Sequence, residues 1–191
     1  MNILILIITL SSQLNSQYSS VFSNDPRWDN KFTFTVGTSL YGNSDGAGGF
    51  VGGLYSLNRF FKVGLGFEYE SRGVSYGIRG RAFIPTYEFG FGIEIGAMNG
   101  FHRRTGFLLP SNEHPSYAQP VFEAENALSL YAGIVLVYQH EDFLTFEMLI
   151  GGNHITTPDK MVCVKECDRL SVADHSIVDS VKLVFSLGFF F

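Results

Sequence analysis

The clearest pattern in this chain is a regular alternation of apolar and mixed residues over the final stretch, 179–191. Every second residue from Val181 onward is apolar, whereas the positions between them include Lys182, Ser186 and Gly188. Successive side chains of an extended strand point to opposite faces, so this stretch predicts a strand with one wholly apolar face. A soluble protein buries such a face in its core, whereas a membrane barrel presents it to lipid.

The same alternation recurs earlier in the chain and predicts seven further strands. The strongest example is 61–70, where Phe61, Val63 and Leu65 alternate with lysine and glycine. Stretch 47–57 is rich in glycine and leaves its register open. The seven predicted strands cover about 31–41, 47–57, 61–70, 74–82, 87–97, 128–139 and 144–151.

The connections between these strands alternate in length. Those after the second, fourth and sixth strands are short, whereas long loops over 98–127 and 152–178 follow the fifth and seventh. An even strand number with short turns at one end and long loops at the other is typical of bacterial outer-membrane barrels. The pattern also predicts one aromatic rim at the short-turn end, formed by Trp28, Phe60, Phe61, Tyr87, Tyr138, Phe143, Phe189 and Phe191.

Composition narrows the class of protein further. Charged residues make up 16% of the chain and the net charge is −5 without a basic block, which argues against nucleic-acid binding. No apolar run is long enough for a transmembrane helix. Residues 1–16, with an apolar run followed by small and polar residues, predict a secretory signal peptide or, alternatively, a buried N-terminal strand. Residues 17–30 then form a short periplasmic arm, and 31–191 the barrel.

The predicted barrel resembles the small eight-stranded outer-membrane proteins of the OmpX and OmpA transmembrane-domain type. The resemblance rests on the strand pattern and on the terminal stretch Leu183-Val184-Phe185-Ser186-Leu187-Gly188-Phe189-Phe190-Phe191. It implies an all-β, antiparallel, up-and-down barrel in the bacterial outer membrane, monomeric and without a cofactor. It also implies contact with outer-membrane lipids and lipopolysaccharide. The terminal stretch is similar to the signal read by the barrel-assembly machinery, carried here by Phe185, Leu187, Phe189 and Phe191.

The inward positions of the predicted strands carry many charges. Arg79 and Arg81 lie on the fourth strand, between neighbouring strands that contribute glutamates. The interior of an eight-stranded barrel is just wide enough for side chains to fill it. The charges therefore predict either a salt-bridge network that plugs the lumen or a gate that opens when ion pairs exchange. The predicted lumen residues are Lys62, Glu68, Glu70, Arg79, Arg81, Glu88, Glu94, Glu147 and Lys182.

Two features of the long loops suggest further chemistry. Cys163 and Cys167 predict a disulfide in an oxidising compartment; a metal site with His154 or His175 is the alternative, although the zinc-type CxxC spacing is absent. Arg103 and Arg104 predict either a contact with lipopolysaccharide phosphates or a solvated loop.

An enzymatic interpretation depends on His154 and Thr156. Outer-membrane lipid A deacylases carry a His-x-Ser pair at the outer end of the seventh strand, and this chain has His154-Ile155-Thr156 there. Threonine can act as a nucleophile beside a base, but it replaces the family's serine. The charged lumen argues against a palmitoyltransferase-type acyl pocket. The sequence thus favours a non-enzymatic envelope-structural or surface-binding protein, with a narrow gated pore and a lipid A-modifying hydrolase as alternatives.

Overall fold

A computed structural model describes residues 28, 31–42, 47–70, 73–86, 88–105, 120–141, 143–167 and 179–190. The predicted signal peptide and most of the N-terminal arm lie outside the described residues, as do Tyr87, His175 and Phe191. In the described part of the chain, no helix is both long and apolar enough to cross a membrane.

The described residues form nine β-strands and a short 3-10 turn at Pro158–Lys160. The strands are β1 (Phe32–Tyr41), β2 (Ala47–Ser56), β3 (Phe61–Glu70), β4 (Gly73–Pro85), β5 (Phe89–Thr105), β6 (Val121–Glu141), β7 (Leu144–Ile155), β8 (Val162–Lys165) and β9 (Asp179–Phe190).

Eight of these strands close into an antiparallel barrel. Each strand from β1 to β6 pairs with the next one along the chain. The last strand, β9, then closes the ring because it pairs with β7 on one side and β1 on the other. Closure satisfies the backbone groups of every barrel strand, as a membrane-spanning sheet requires. The predicted eight-stranded up-and-down barrel is confirmed.

The outward face of the barrel is apolar, as the alternation predicts. Leu65, Ile78 and Ile93 are 56%, 65% and 60% exposed, and their sequence neighbours point inward. Aliphatic and aromatic side chains extend around the whole barrel in this way, including Phe34 on β1 and Phe185 on β9. Contact of such a surface with lipid is favourable, whereas its exposure to water is not.

The predicted loops were too long, because two strands extend beyond the apolar band. β5 continues to Thr105 and β6 begins at Val121, so both ends of the predicted loop 98–127 are strand. The two extensions pair with each other, and β8, within the second predicted loop, adds to the far side of β6. We call this end of the barrel the loop end and the opposite end the tight-turn end.

A bulge hides this extension from the alternation pattern. Gly100 pairs with Ala127 and His102 with Ala124, so β6 carries one extra residue there. Asn126 has a φ of 53°, a left-handed conformation that asparagine tolerates better than most residues. Since the extra residue shifts every following side chain to the other face, the period of two is lost at this point.

The predicted aromatic rim needs one correction. Phe143 is exposed at the tight-turn end, as expected, but Trp28 and Phe60 are buried. Trp28 packs inside the barrel mouth against Phe83, with ring centroids 5.1 Å apart. Its indole Nε1 donates a hydrogen bond to the Thr86 carbonyl oxygen, at 2.8 Å. An indole can satisfy its N–H in this way while it fills an apolar space, so Trp28 is a plug and not a lipid anchor.

Candidate functional site

The middle of the lumen is filled by four charged side chains from three strands, here called the central cluster: Arg79, Arg81, Glu94 and Glu147. Arg79 and Arg81 are inward neighbours on β4, and both contact Glu94 of β5 at 2.8–2.9 Å. Arg81 also reaches across the lumen to Glu147 of β7, at 2.8 Å. All four side chains are nearly inaccessible to solvent, so each charge depends on its partners for compensation.

Further contacts hold the central cluster in place. The Tyr131 hydroxyl donates to the second carboxylate oxygen of Glu94, at 2.9 Å. Arg79 donates to the Thr35 hydroxyl at 3.3 Å, and its guanidinium lies 4.9 Å from the centre of the Phe50 ring. Glu94 therefore accepts hydrogen bonds from two arginines and a tyrosine, an arrangement that disfavours rotation of its side chain.

A second group, the loop-end cluster, lies nearer the loops and comprises Tyr41, Glu68, His102, Arg104 and Lys182. Glu68 forms a buried ion pair with Lys182 and accepts a hydrogen bond from the Tyr41 hydroxyl. The Lys182 ammonium also lies 3.9 Å from the centre of the Tyr131 ring, which connects this cluster to the central one.

Apolar side chains seal the lumen between and below the charges. Phe50, Met98 and Leu149 pack together at the level of Tyr131. At the tight-turn end, Trp28 and Phe83 pack with Val135 and Val137. The void next to the central cluster measures about 10 Å³, which is about the smallest void that admits one water molecule. Over this part of its length the lumen is a packed core and not an open channel.

Inward glycines make this packing possible. A Cβ atom at Gly90 would collide with the Phe83 ring, and one at Gly96 with the Tyr131 ring. At Gly52 it would lie 2.6 Å from Arg79 Nη1. These glycines therefore provide room for large lumen side chains.

Three predicted lumen residues belong to neither cluster. Glu88 is exposed beside the turn between β4 and β5, outside the barrel interior, because β5 begins only at Phe89. Glu70 is partly exposed at the end of β3. Lys62 is buried near the tight-turn end, where its ammonium lies 3.4 Å from the Thr33 hydroxyl and 5.4 Å from the centre of the Phe190 ring.

The two arginines assigned to the first long loop belong to β5 and have different environments. Arg103 is partly exposed and lies 3.7 Å from Glu123 of β6. Arg104 points into the lumen, is fully buried and lies 4.4 Å from the centre of the Tyr41 ring. The structure therefore does not place Arg104 where it could contact lipopolysaccharide on the outer surface.

The cysteines and the enzymatic candidates lie at the loop end, outside the lumen. Cys163 and Cys167 form a disulfide that closes the turn after β8. His154 Nδ1 lies 2.6 Å from a carboxylate oxygen of Asp179, an orienting acid that the sequence analysis missed. The Thr156 hydroxyl donates to the Leu128 carbonyl oxygen at 3.0 Å, so its proton is not directed at His154.

The described residues of the predicted assembly signal lie on β9. Phe185 and Leu187 point outward on β9, and Phe189 is partly exposed near its end. β9 pairs with β1 through Phe189 and Phe34, so the stretch lies at the seam where the barrel closes.

Comparison with solved structures agrees with this architecture. The N-terminal β-barrel domain of OprF from Pseudomonas aeruginosa is 14% identical over 85% of this chain and 98% of that domain, with a TM-score of 0.50. The chain has the fold of an outer-membrane β-barrel. A major outer membrane protein from Thermus thermophilus is 13% identical over 84% of this chain and 99% of that one, with a TM-score of 0.48. No protein-family model matches the chain, and no curated protein matches its sequence.

The fold and its apolar outer face together identify the membrane environment that surrounds the lumen. A closed antiparallel barrel with lipid-compatible side chains all around its wall is an integral outer-membrane protein, as the sequence predicted. The lumen described above is therefore a polar interior enclosed by lipid. Its ion pairs are shielded from bulk water along the length of the wall.

Proposed function

We propose that the protein is a non-enzymatic outer-membrane protein whose barrel is a rigid anchor for surface structure at the loop end. The observation that carries this proposal is the closed lumen, in which the central cluster leaves a void of only about 10 Å³. Passage of a solute through the lumen would require Arg79, Arg81 and Glu94 to separate inside a low-dielectric interior, at a cost of several kcal/mol.

The loop end supports the surface role. β5, β6 and β8 form a three-stranded extension beyond the apolar band, and a disulfide ties the turn after β8. A rigid scaffold that presents structured loops is the usual arrangement for binding sites. Its proposed partners are outer-membrane lipids and lipopolysaccharide, with the barrel-assembly machinery acting during insertion and the monomer as the working form.

Planar-bilayer recording tests this proposal against a gated pore, the second candidate. The pore is favoured by the continuous chain of polar contacts from Lys182 through Tyr131 and Glu94 to Arg81. We expect no channel openings from the wild-type protein. Steady openings that change in size or frequency in Arg81→Ala would establish the pore and contradict the anchor. The matched control is Glu88→Ala, which alters a charge outside the lumen.

A lipid A hydrolase is the third candidate, favoured by the contact of His154 with Asp179. An imidazole oriented by a carboxylate is the arrangement of a general base, although the hydroxyl of Thr156 is engaged elsewhere. We expect mass spectra of lipid A to show the same acyl chains with and without the protein. Loss of an acyl chain that is restored by His154→Ala would overturn the non-enzymatic assignment.

A further inference from the structure

Arg104 has a buried guanidinium with an unsatisfied edge. The side chain has no exposed surface, and its Nη1 donates to the Arg103 carbonyl oxygen at 2.8 Å. Its Nε and Nη2 have no hydrogen-bond partner among the described residues. These two nitrogens lie on one side of the planar guanidinium and present parallel N–H bonds, which match two oxygens of a carboxylate or phosphate.

The acids near Arg104 do not occupy this edge. Glu68 is already held by Lys182 and Tyr41. Glu70 lies within electrostatic range of Arg104, but one of its carboxylate oxygens has no hydrogen-bond partner in the described structure. No carboxylate of the described residues forms an ion pair with Arg104. A buried charge that lacks an ion-pair partner is costly.

His102 offers a second group on the same side of the strand. It lies two residues before Arg104 on β5, so both side chains face the lumen, about 6–7 Å apart along the strand. His102 is fully buried, and its Nε2 lies 3.1 Å from the Ala127 carbonyl oxygen. A carbonyl only accepts, so Nε2 carries the proton and Nδ1 is the nitrogen without a partner among the described residues.

We propose that Arg104 and His102 form a binding site for a small phosphate-type oxyanion inside the loop end of the barrel. Arg104 would hold two oxygens through Nε and Nη2. A third, protonated oxygen would donate to His102 Nδ1, a match that phosphate offers and a simple carboxylate does not. The oxyanion supplies the missing counter-charge of Arg104. Because both side chains are fully buried, binding is coupled to a local rearrangement of the groups that cover them.

Titration with inorganic phosphate at constant ionic strength tests the site in the folded, full-length barrel in detergent. We expect saturable binding of one phosphate and a shift of the Arg104 Nε resonance in arginine-labelled protein. Removing a charged hydrogen-bonding edge lowers such an affinity by about tenfold or more, which is the expected effect of Arg104→Gln. The matched control is Arg103→Gln, because Arg103 is the adjacent residue but lies near Glu123 outside the lumen.

Three further measurements make the outcome decisive. If Arg104→Gln does not fold, as judged by gel mobility before boiling, Arg104→Lys retains the charge without the paired edge and should still weaken binding. Glu70→Gln should leave binding intact or tighten it, since a competing carboxylate is removed. Lipopolysaccharide vesicles should not reproduce the Nε shift, because Arg104 is buried inside the lumen. A shift with these vesicles but not with inorganic phosphate would contradict a site for a small oxyanion. Equal phosphate binding by wild type and Arg104→Gln, or equal loss in Arg103→Gln, would overturn the proposal.

Discussion

Two regions of the same lumen treat buried arginines differently. In the central cluster, Arg81 lies 2.8–2.9 Å from both Glu94 and Glu147. In the loop-end cluster, Arg104 is equally buried but contacts an aromatic ring and a backbone carbonyl instead of an acid. Among the described residues, burial is thus matched by ion pairing for Arg81 in the middle of the barrel and not for Arg104 at the loop end. The first region has the properties of a structural core, and the second those of a binding site.

The largest effect is expected from removing the acid that the central cluster shares. Glu94→Ala leaves Arg79, Arg81 and Tyr131 without their common partner, and an uncompensated buried charge costs about 3–5 kcal/mol. Urea unfolding in phospholipid vesicles, followed by the fluorescence of the single tryptophan, measures this loss. Glu88→Ala is the control and should change the unfolding free energy by less than about 0.5 kcal/mol, because its side chain is exposed. Similar losses in the two variants would mean that the central cluster does not stabilise the barrel.

The plug at the tight-turn end is expected to contribute somewhat less. Trp28→Ala removes a large buried ring from the space between Phe83 and Val137, which we expect to lower the unfolding free energy by about 3 kcal/mol. Gel mobility against urea concentration measures the effect without tryptophan fluorescence. The control is Phe143→Ala at the same end, where the side chain is 54% exposed. An unchanged transition in Trp28→Ala would show that Trp28 does not fill the barrel mouth.

A smaller effect is expected from the disulfide. The double substitution of Cys163→Ala and Cys167→Ala opens a short loop outside the barrel wall, and we expect a loss below about 2 kcal/mol. Proteolysis of the intact folded protein should nevertheless become faster near β8, because the loop is no longer closed. A large drop in barrel stability would contradict the separation between the wall and its surface structure.

The outer wall was predictable from sequence, whereas the ends of the barrel were not. The alternation over 61–70 and 179–191 has a single cause: every second residue of a barrel strand faces lipid and must be apolar. The extension of β5 and β6 lies beyond the apolar band, and the extra residue at Asn126 breaks the period there. β5 carries no extra residue and Arg104 keeps its inward position, but Arg103 on the outer face ends the apolar alternation by which that strand could be recognised.

The contacts inside the lumen were predictable only as a set of charges. Residue spacing identified Arg79, Arg81, Glu94 and Glu147 as inward residues, with Glu94 on the strand beside the two arginines. The pairing of Arg81 with Glu147 depends instead on which strands face each other across the lumen. Trp28 was misassigned to the lipid interface because an indole suits both a membrane rim and a partly apolar mouth. Glu88 alternated with apolar neighbours in sequence, yet the strand begins one residue after it.

The most direct test is the difference in unfolding free energy between Arg81→Gln and Arg104→Gln, measured in the same vesicles without added phosphate. Both substitutions remove one buried guanidinium and leave a shorter, uncharged polar side chain. We predict that Arg81→Gln lowers the unfolding free energy by about 3–5 kcal/mol, since Glu94 and Glu147 lose a shared partner. For Arg104→Gln we predict a change within about 1 kcal/mol, because no ion pair is broken there. Equal losses at the two positions would contradict the distinction between a paired core and an unpaired site.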